Sequence, residues 1–256
     1  MQDYNTIRTA GTATRSAAVD EGLRAYMNKV YSLMAVAMLV TAGAAWGMAG
    51  LTLSDVPTQY GMGNGKYLTE FGATLYLSPL KWVVMFAPLV MVFGFSAALS
   101  RLSVQAATTL FYVFSAVMGV SISWIFVAYT SFSIVQTFLV TAIAFAGLSL
   151  YGYTTKRDLS GMGTFLMMGL IGLIVASIVN MFLQSGAMQF AISAIGVLIF
   201  AGLTAFDTQS IKNTYLQLAN TDHDFLGKSA IMGALQLYLD FLNMFMFLLQ
   251  FMGNRD

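Results

Sequence analysis

Residues 102–155 contain no charged side chain, and residues 159–206 contain none either. Runs of this kind cannot supply the surface of a soluble domain, in which about 25% of residues are charged. Here only 9% of the 256 residues are charged, while 58% are hydrophobic. A bilayer core about 30 Å thick needs roughly 20 apolar residues per helix. Each run is therefore too long for one crossing and suits two. Polar breaks at Tyr129-Thr130-Ser131-Phe132-Ser133 and at Gln184-Ser185-Gly186 divide them. Residues 30–54 and 82–100 hold one span each, and 229–252, apolar apart from Asp240, hold the last. The expected fold is an all-α integral membrane protein with seven transmembrane helices. A polar cytoplasmic segment, 1–28, precedes the seven-helix domain, 29–252.

Lysine and arginine set the orientation, because cytoplasmic loops carry them in excess. With the N-terminus in the cytoplasm, Lys66, Lys81 and Arg255 are the only ones of the 12 basic residues outside. The expected topology is N-terminus in, C-terminus out. The first thirty residues lack an apolar core region, so no cleaved signal peptide is expected and the first span directs insertion. Residues 51–81 form the longest external connection, of which 67–80 are apolar enough to lie along the interface or re-enter. Residues 210–228 read as a polar internal loop, and Pro88 is placed to kink the second span. Gly43 and Gly47, Ser115, Gly119 and Ser123, and Gly172 and Ala176 have the spacing of close helix contacts.

Ionisable groups inside a membrane are costly and so point to function. Two qualify, Asp240 in the last span and Asp207 near the inner end of the sixth. Gln236, Asn243 and Gln250 fall on one helical stripe with Asp240, and Thr204 and Thr208 lie beside Asp207. A polar stripe along an apolar helix must face protein or water, which makes the last helix central in the bundle. Two carboxyls brought together in a poorly solvated site share one proton and titrate as a unit. Deprotonated, they offer hard oxygen ligands to a cation such as Ca²⁺. Arg101 ends the second span on the same side, within reach of Asp207 as a latch or placed as a cytoplasmic anchor. Asn180 suits an interhelical hydrogen bond, and His223 a solvated polar turn.

Three segments resemble the Bax inhibitor-1/YccA family, the transmembrane Bax-inhibitor-motif proteins. Tyr151-Gly152-Tyr153-Thr154-Thr155-Lys156-Arg157-Asp158-Leu159-Ser160-Gly161 is similar to the family's loop after the fourth span. Gly202-Leu203-Thr204-Ala205-Phe206-Asp207-Thr208-Gln209 is similar to its sixth-helix ending. Leu237-Tyr238-Leu239-Asp240-Phe241-Leu242-Asn243-Met244-Phe245 is similar to its seventh helix. The resemblance runs from about Gly22 onward and is closest to the bacterial inner-membrane branch. It implies a central last helix wrapped by six others, and a pH-sensitive Ca²⁺ leak gated by the di-aspartyl pair Asp207 and Asp240. It also implies an arginine latch, carried over to Arg101. Some members place an acidic residue in the second span to line the pore, whereas 82–100 has none here. Other bacterial relatives restrain a membrane-bound AAA protease, so a non-conducting regulator is the alternative.

Enzymatic readings fare poorly. An intramembrane aspartyl protease would show Gly-x-Gly-Asp and a later Pro-Ala-Leu, yet Asp240 follows Leu237-Tyr238-Leu239 and no proline follows Pro88. With no cysteine and one histidine, a zinc hydrolase lacks ligands. A retinal protein needs a lysine within the last span, which Lys228 only precedes. No resident cofactor is expected, with Ca²⁺ at most a permeant or bound ion. The partners expected are the lipid bilayer and, under the alternative reading, a membrane protease. Nucleic acid is excluded for want of a basic face, and a monomer is compatible with the pattern.

Overall fold

The computed structural model describes residues 3–62, 65–218 and 223–254, and the side chains of all of these except 3–18 and 223. Its helices are α1 (Asp3–Thr52), α2 (Glu70–Leu77), α3 (Leu80–Ala98), α4 (Val104–Ile122), α5 (Ile125–Ala128), α6 (Ser131–Thr154), α7 (Ser160–Leu183), α8 (Gly186–Leu218) and α9 (His223–Met252). Among the described residues, seven stretches are long and apolar enough to cross a membrane: α1 from Val19, α3, α4 with α5, α6, α7, α8, and α9 from Asp224. Both anticipated breaks are present. The first is Tyr129 and Thr130, where the Thr130 side chain caps α6 by accepting the Ser133 N–H at 3.1 Å. The second is Gln184, in the left-handed region at φ 50°, after which α8 begins.

Several connections differ from expectation. The anticipated internal loop 210–228 is mostly helix, and only 219–222 separates α8 from α9. α8 runs on because Ile211 and Tyr215, one turn apart, stay buried. The Tyr215 ring lies 5.1 Å from that of Tyr26. α1 likewise passes through residue 29 without a break, and Leu23, Tyr26 and Met27 already belong to the core. The 51–81 connection holds a two-stranded antiparallel ladder, Leu53–Ser54 with Tyr67–Leu68, followed by α2. α3 continues as helix through Pro88.

α9 lies at the centre. Of its apolar stretch 61% is buried, against 11% for α3 and 17% for α7, and it packs on α1, α4, α6 and α8. Three faces account for this. Tyr238 sits edge-on to Phe111 and Phe114 of α4, with its hydroxyl 2.6 Å from Thr41 Oγ1 of α1. Phe241 meets Phe138 and Phe145 of α6 edge to face. The third face carries Gln236, Asp240 and Asn243.

Lipid gives helices no hydrophobic reason to associate, so close backbone packing must do it. A Cβ on Gly119 would meet the Thr41 carbonyl and lie 2.8 Å from the Ala44 methyl, so α4 touches α1 there. Gly152 likewise abuts the Ala205 carbonyl, which joins α6 to α8. Gly43, Gly47 and Gly172 have open space where a Cβ would go. Their spacing suggested contacts that the structure does not form, because spacing says nothing about whether a helix faces protein or lipid.

Candidate functional site

α8 and α9 are antiparallel neighbours, and every third or fourth residue along their shared seam faces the other helix. This register places Asp207 beside Asp240, and both carboxyls line the same cavity. Two ionised carboxylates are acceptors only, so a hydrogen bond between them would require a proton on one of them. Asp240 is 4% exposed, and its Oδ2 is buried without a hydrogen-bond partner among the described residues. Such an oxygen is costly to leave unpaired. Asp207 is half-buried.

Both acids line a cavity of about 740 Å³ bounded by α8, α9 and α7, with Leu89 of α3 at one edge. Gln236, Asn243, Ser210 and Ser177 are its other polar members. Asn243 donates from Nδ2 to the Leu239 carbonyl at 2.8 Å. Among the described residues no group of three or more His, Cys, Asp or Glu is gathered as a metal cage. Two carboxyls with neighbouring amides give far fewer than the six to eight oxygens Ca²⁺ takes, so water would complete the shell.

Other anticipated residues are placed elsewhere. Thr204 is buried and donates to the Phe200 carbonyl at 2.8 Å, within its own helix. Thr208 faces α6, 2.9 Å from Ser149 Oγ. Asn180 does bond between helices, donating to Gln189 Oε1 at 3.1 Å. Gln189 in turn donates to Gln250 at 2.8 Å, so Gln250 belongs with this amide cluster and not with the acids. Gln189 went unnoticed in the sequence. Its signal was a third uncharged amide, near the start of its span as Asn180 and Gln250 are near the ends of theirs. Arg101 is exposed in the turn after α3 and makes no ion pair with Asp207 among the described residues. The side chain of His223 lies outside the described residues, as do Thr221 and Asp222.

The loop after α6 is tied directly to the Asp207 helix. Gln209 accepts the Leu159 N–H and donates to the Arg157 carbonyl, both at 2.8 Å, and Lys212 donates to the Tyr153 carbonyl at 2.8 Å. The exposed Asp158 carboxyl is held below its ordinary range by hydrogen bonds from Ser160. Thus the three segments that suggested a family converge on α8 and α9.

The family model described as "Inhibitor of apoptosis-promoting Bax1" matches residues 23–256. The chain belongs to the Bax inhibitor family. Its relatives include the inner membrane protein YbhL of Escherichia coli K12, 44% identical over 234 residues, covering 91% of this chain and 93% of YbhL. An uncharacterised protein of Rickettsia prowazekii, RP147, is 43% identical across 100% of this chain and 99% of its own length. A Caulobacter vibrioides protein is 41% identical over the whole of both chains.

Proposed function

We propose that this Bax inhibitor family member is a pH-sensitive cation leak of the bacterial inner membrane. Asp207 and Asp240 act as its proton-controlled gate, and Ca²⁺ is the cation favoured by their hard oxygens. The observation that carries the reading is the pair of acids lining one cavity inside an apolar bundle, with one buried Asp240 oxygen unpartnered among the described residues. A proton holds α8 to α9 through that pair. Losing it leaves two negative charges, which repel each other and attract a cation. Protons and cations therefore compete, and flux falls as pH is lowered. The test is Ca²⁺ uptake by liposomes containing the purified protein, scanned over pH. Folded protein that passes no cation at any pH would favour the alternative, a non-conducting regulator of a membrane protease.

Inner-membrane placement rests on the similarity to YbhL and on the seven apolar helices. The orientation rests on the basic residues. A reporter fused after Asp256 is expected to be active outside the cytoplasm, and one inserted at 219–222 inside it. The reverse pattern would overturn the siting of the α8–α9 connection at the inner face.

Arg101 enters as a latch through the family resemblance. It lies toward the same end of the bundle as the α8–α9 connection, since a Cβ on Gly227 would lie 2.7 Å from Val104. Arg101→Ala is expected to raise the leak several-fold by removing the closed arrangement. Unchanged flux in correctly inserted protein would make Arg101 an anchor under the positive-inside rule.

A further inference from the structure

The acid cavity accounts for only part of the polar surface inside the bundle. A second cavity, of about 570 Å³, lies between α7, α8 and α9 at the end where α7 turns into α8. The amide cluster of Asn180, Gln189 and Gln250 faces it, and Ser177 of α7 lines both cavities. Toward Gln250, the wall of the acid cavity includes one aromatic pair on the α8–α9 seam. The rings of Phe200 and Phe247 stack with centroids 5.8 Å apart. Phe200 lies seven residues from Asp207, and Phe247 seven from Asp240 but three from Gln250. Gly196 makes room for this stack, because a Cβ there would come within 2.6 Å of the Phe247 ring.

We infer that the amide-lined cavity is a water-filled vestibule, and that Phe200 and Phe247 form a hydrophobic gate separating it from the acid pair. An apolar constriction between two polar compartments excludes water, and with it ions, until its side chains move. The neutral amides suit a vestibule. Their mutual hydrogen bonds fix their positions, and they add no charge that would hold a cation fast. The second span lacks an acidic residue that could line the outer route, and the α7–α8–α9 seam supplies a polar one instead. This extends the cation-leak reading, but water access to the two cavities does not depend on which ion, if any, passes.

The chain has no cysteine, so single cysteines can report water access in vesicles of known orientation. The probe is a small, membrane-impermeant thiosulfonate applied to either side. Gln250→Cys is expected to react from the side of the α7–α8 turn, and Ser210→Cys from the opposite side. Asn243→Cys is expected to react from the Ser210 side alone. Adding Phe247→Ala is expected to speed its reaction from the Gln250 side at least tenfold, with Phe247→Leu intermediate. Unchanged Ser210→Cys labelling in the same background establishes that the bundle is intact. Gln250→Cys inert from both sides would refute the vestibule. Asn243→Cys indifferent to both Phe247 variants in an intact bundle would refute the gate.

Discussion

Asp240→Asn is expected to flatten the pH dependence of cation flux and to weaken Ca²⁺ binding about tenfold or more, which is roughly 1.4 kcal/mol per decade. Asparagine keeps the size of the side chain, and its amide can still donate to Asp207, so the helix contact survives. What disappears is the ability to gain and lose a proton. Asp207→Asn removes the partner charge and is expected to abolish the coupling as well. It should perturb folding less than Asp240→Asn, because Asp207 is half-buried whereas Asp240 is 4% exposed. The double variant is expected to add little to either single one, since both substitutions break the same unit. Single variants that each retain the wild-type pH profile would show that the acids do not form one sensor. Flux from reconstituted variants, measured across pH, decides this.

Gly152→Val is expected to give the largest structural loss. At this position α6 meets the Ala205 carbonyl of α8, two residues before Asp207. Backbone on both sides leaves no flexible side chain to yield, so the helices must separate. Overpacking of this kind costs about 1–3 kcal/mol and occasionally more. In a membrane, lost close packing is not replaced by hydrophobic pressure. The separation also strains the Gln209 and Lys212 bonds to the 153–159 segment. A fall in folded yield and thermal stability in detergent checks the expectation. Gly43→Val, which has open space at the same chemistry, is the control and should be nearly neutral. Equal losses at both positions would remove the case for a specific α6–α8 contact.

The charge-free runs made the span count and both breaks readable, because hydrocarbon thickness limits helix length and polar interruptions cannot sit at its centre. The helix ends were less readable. Lys212, Asn213 and Gln217 look like loop by hydropathy, yet Ile211 and Tyr215 keep one face buried and draw α8 out to Leu218. Asp207 and Asp240 stood out because charge is costly in a membrane, and the structure joins them. Gln250 was grouped with Asp240 by helical spacing alone. Spacing gives direction around a helix but not depth along it, and depth assigns Gln250 to Asn180 and Gln189. Thr204 and Thr208 lie beside Asp207 along α8, but their hydroxyls bond elsewhere. A threonine in a helix can satisfy its hydroxyl on its own backbone, as both do here, and so need not serve a neighbouring site. The aromatic pair left no polar signature and became visible only when α8 and α9 were set side by side.

If one proton is shared by Asp207 and Asp240 and competes with the cation, Ca²⁺ binding must expel it. Titrating Ca²⁺ into weakly buffered, detergent-solubilised protein with a pH indicator measures this directly. Proton release that saturates with Ca²⁺, and is lost in Asp240→Asn, is the expected result. Ca²⁺ binding without proton release, or release of the same size in Asp240→Asn, would contradict the gate assigned to the acid pair.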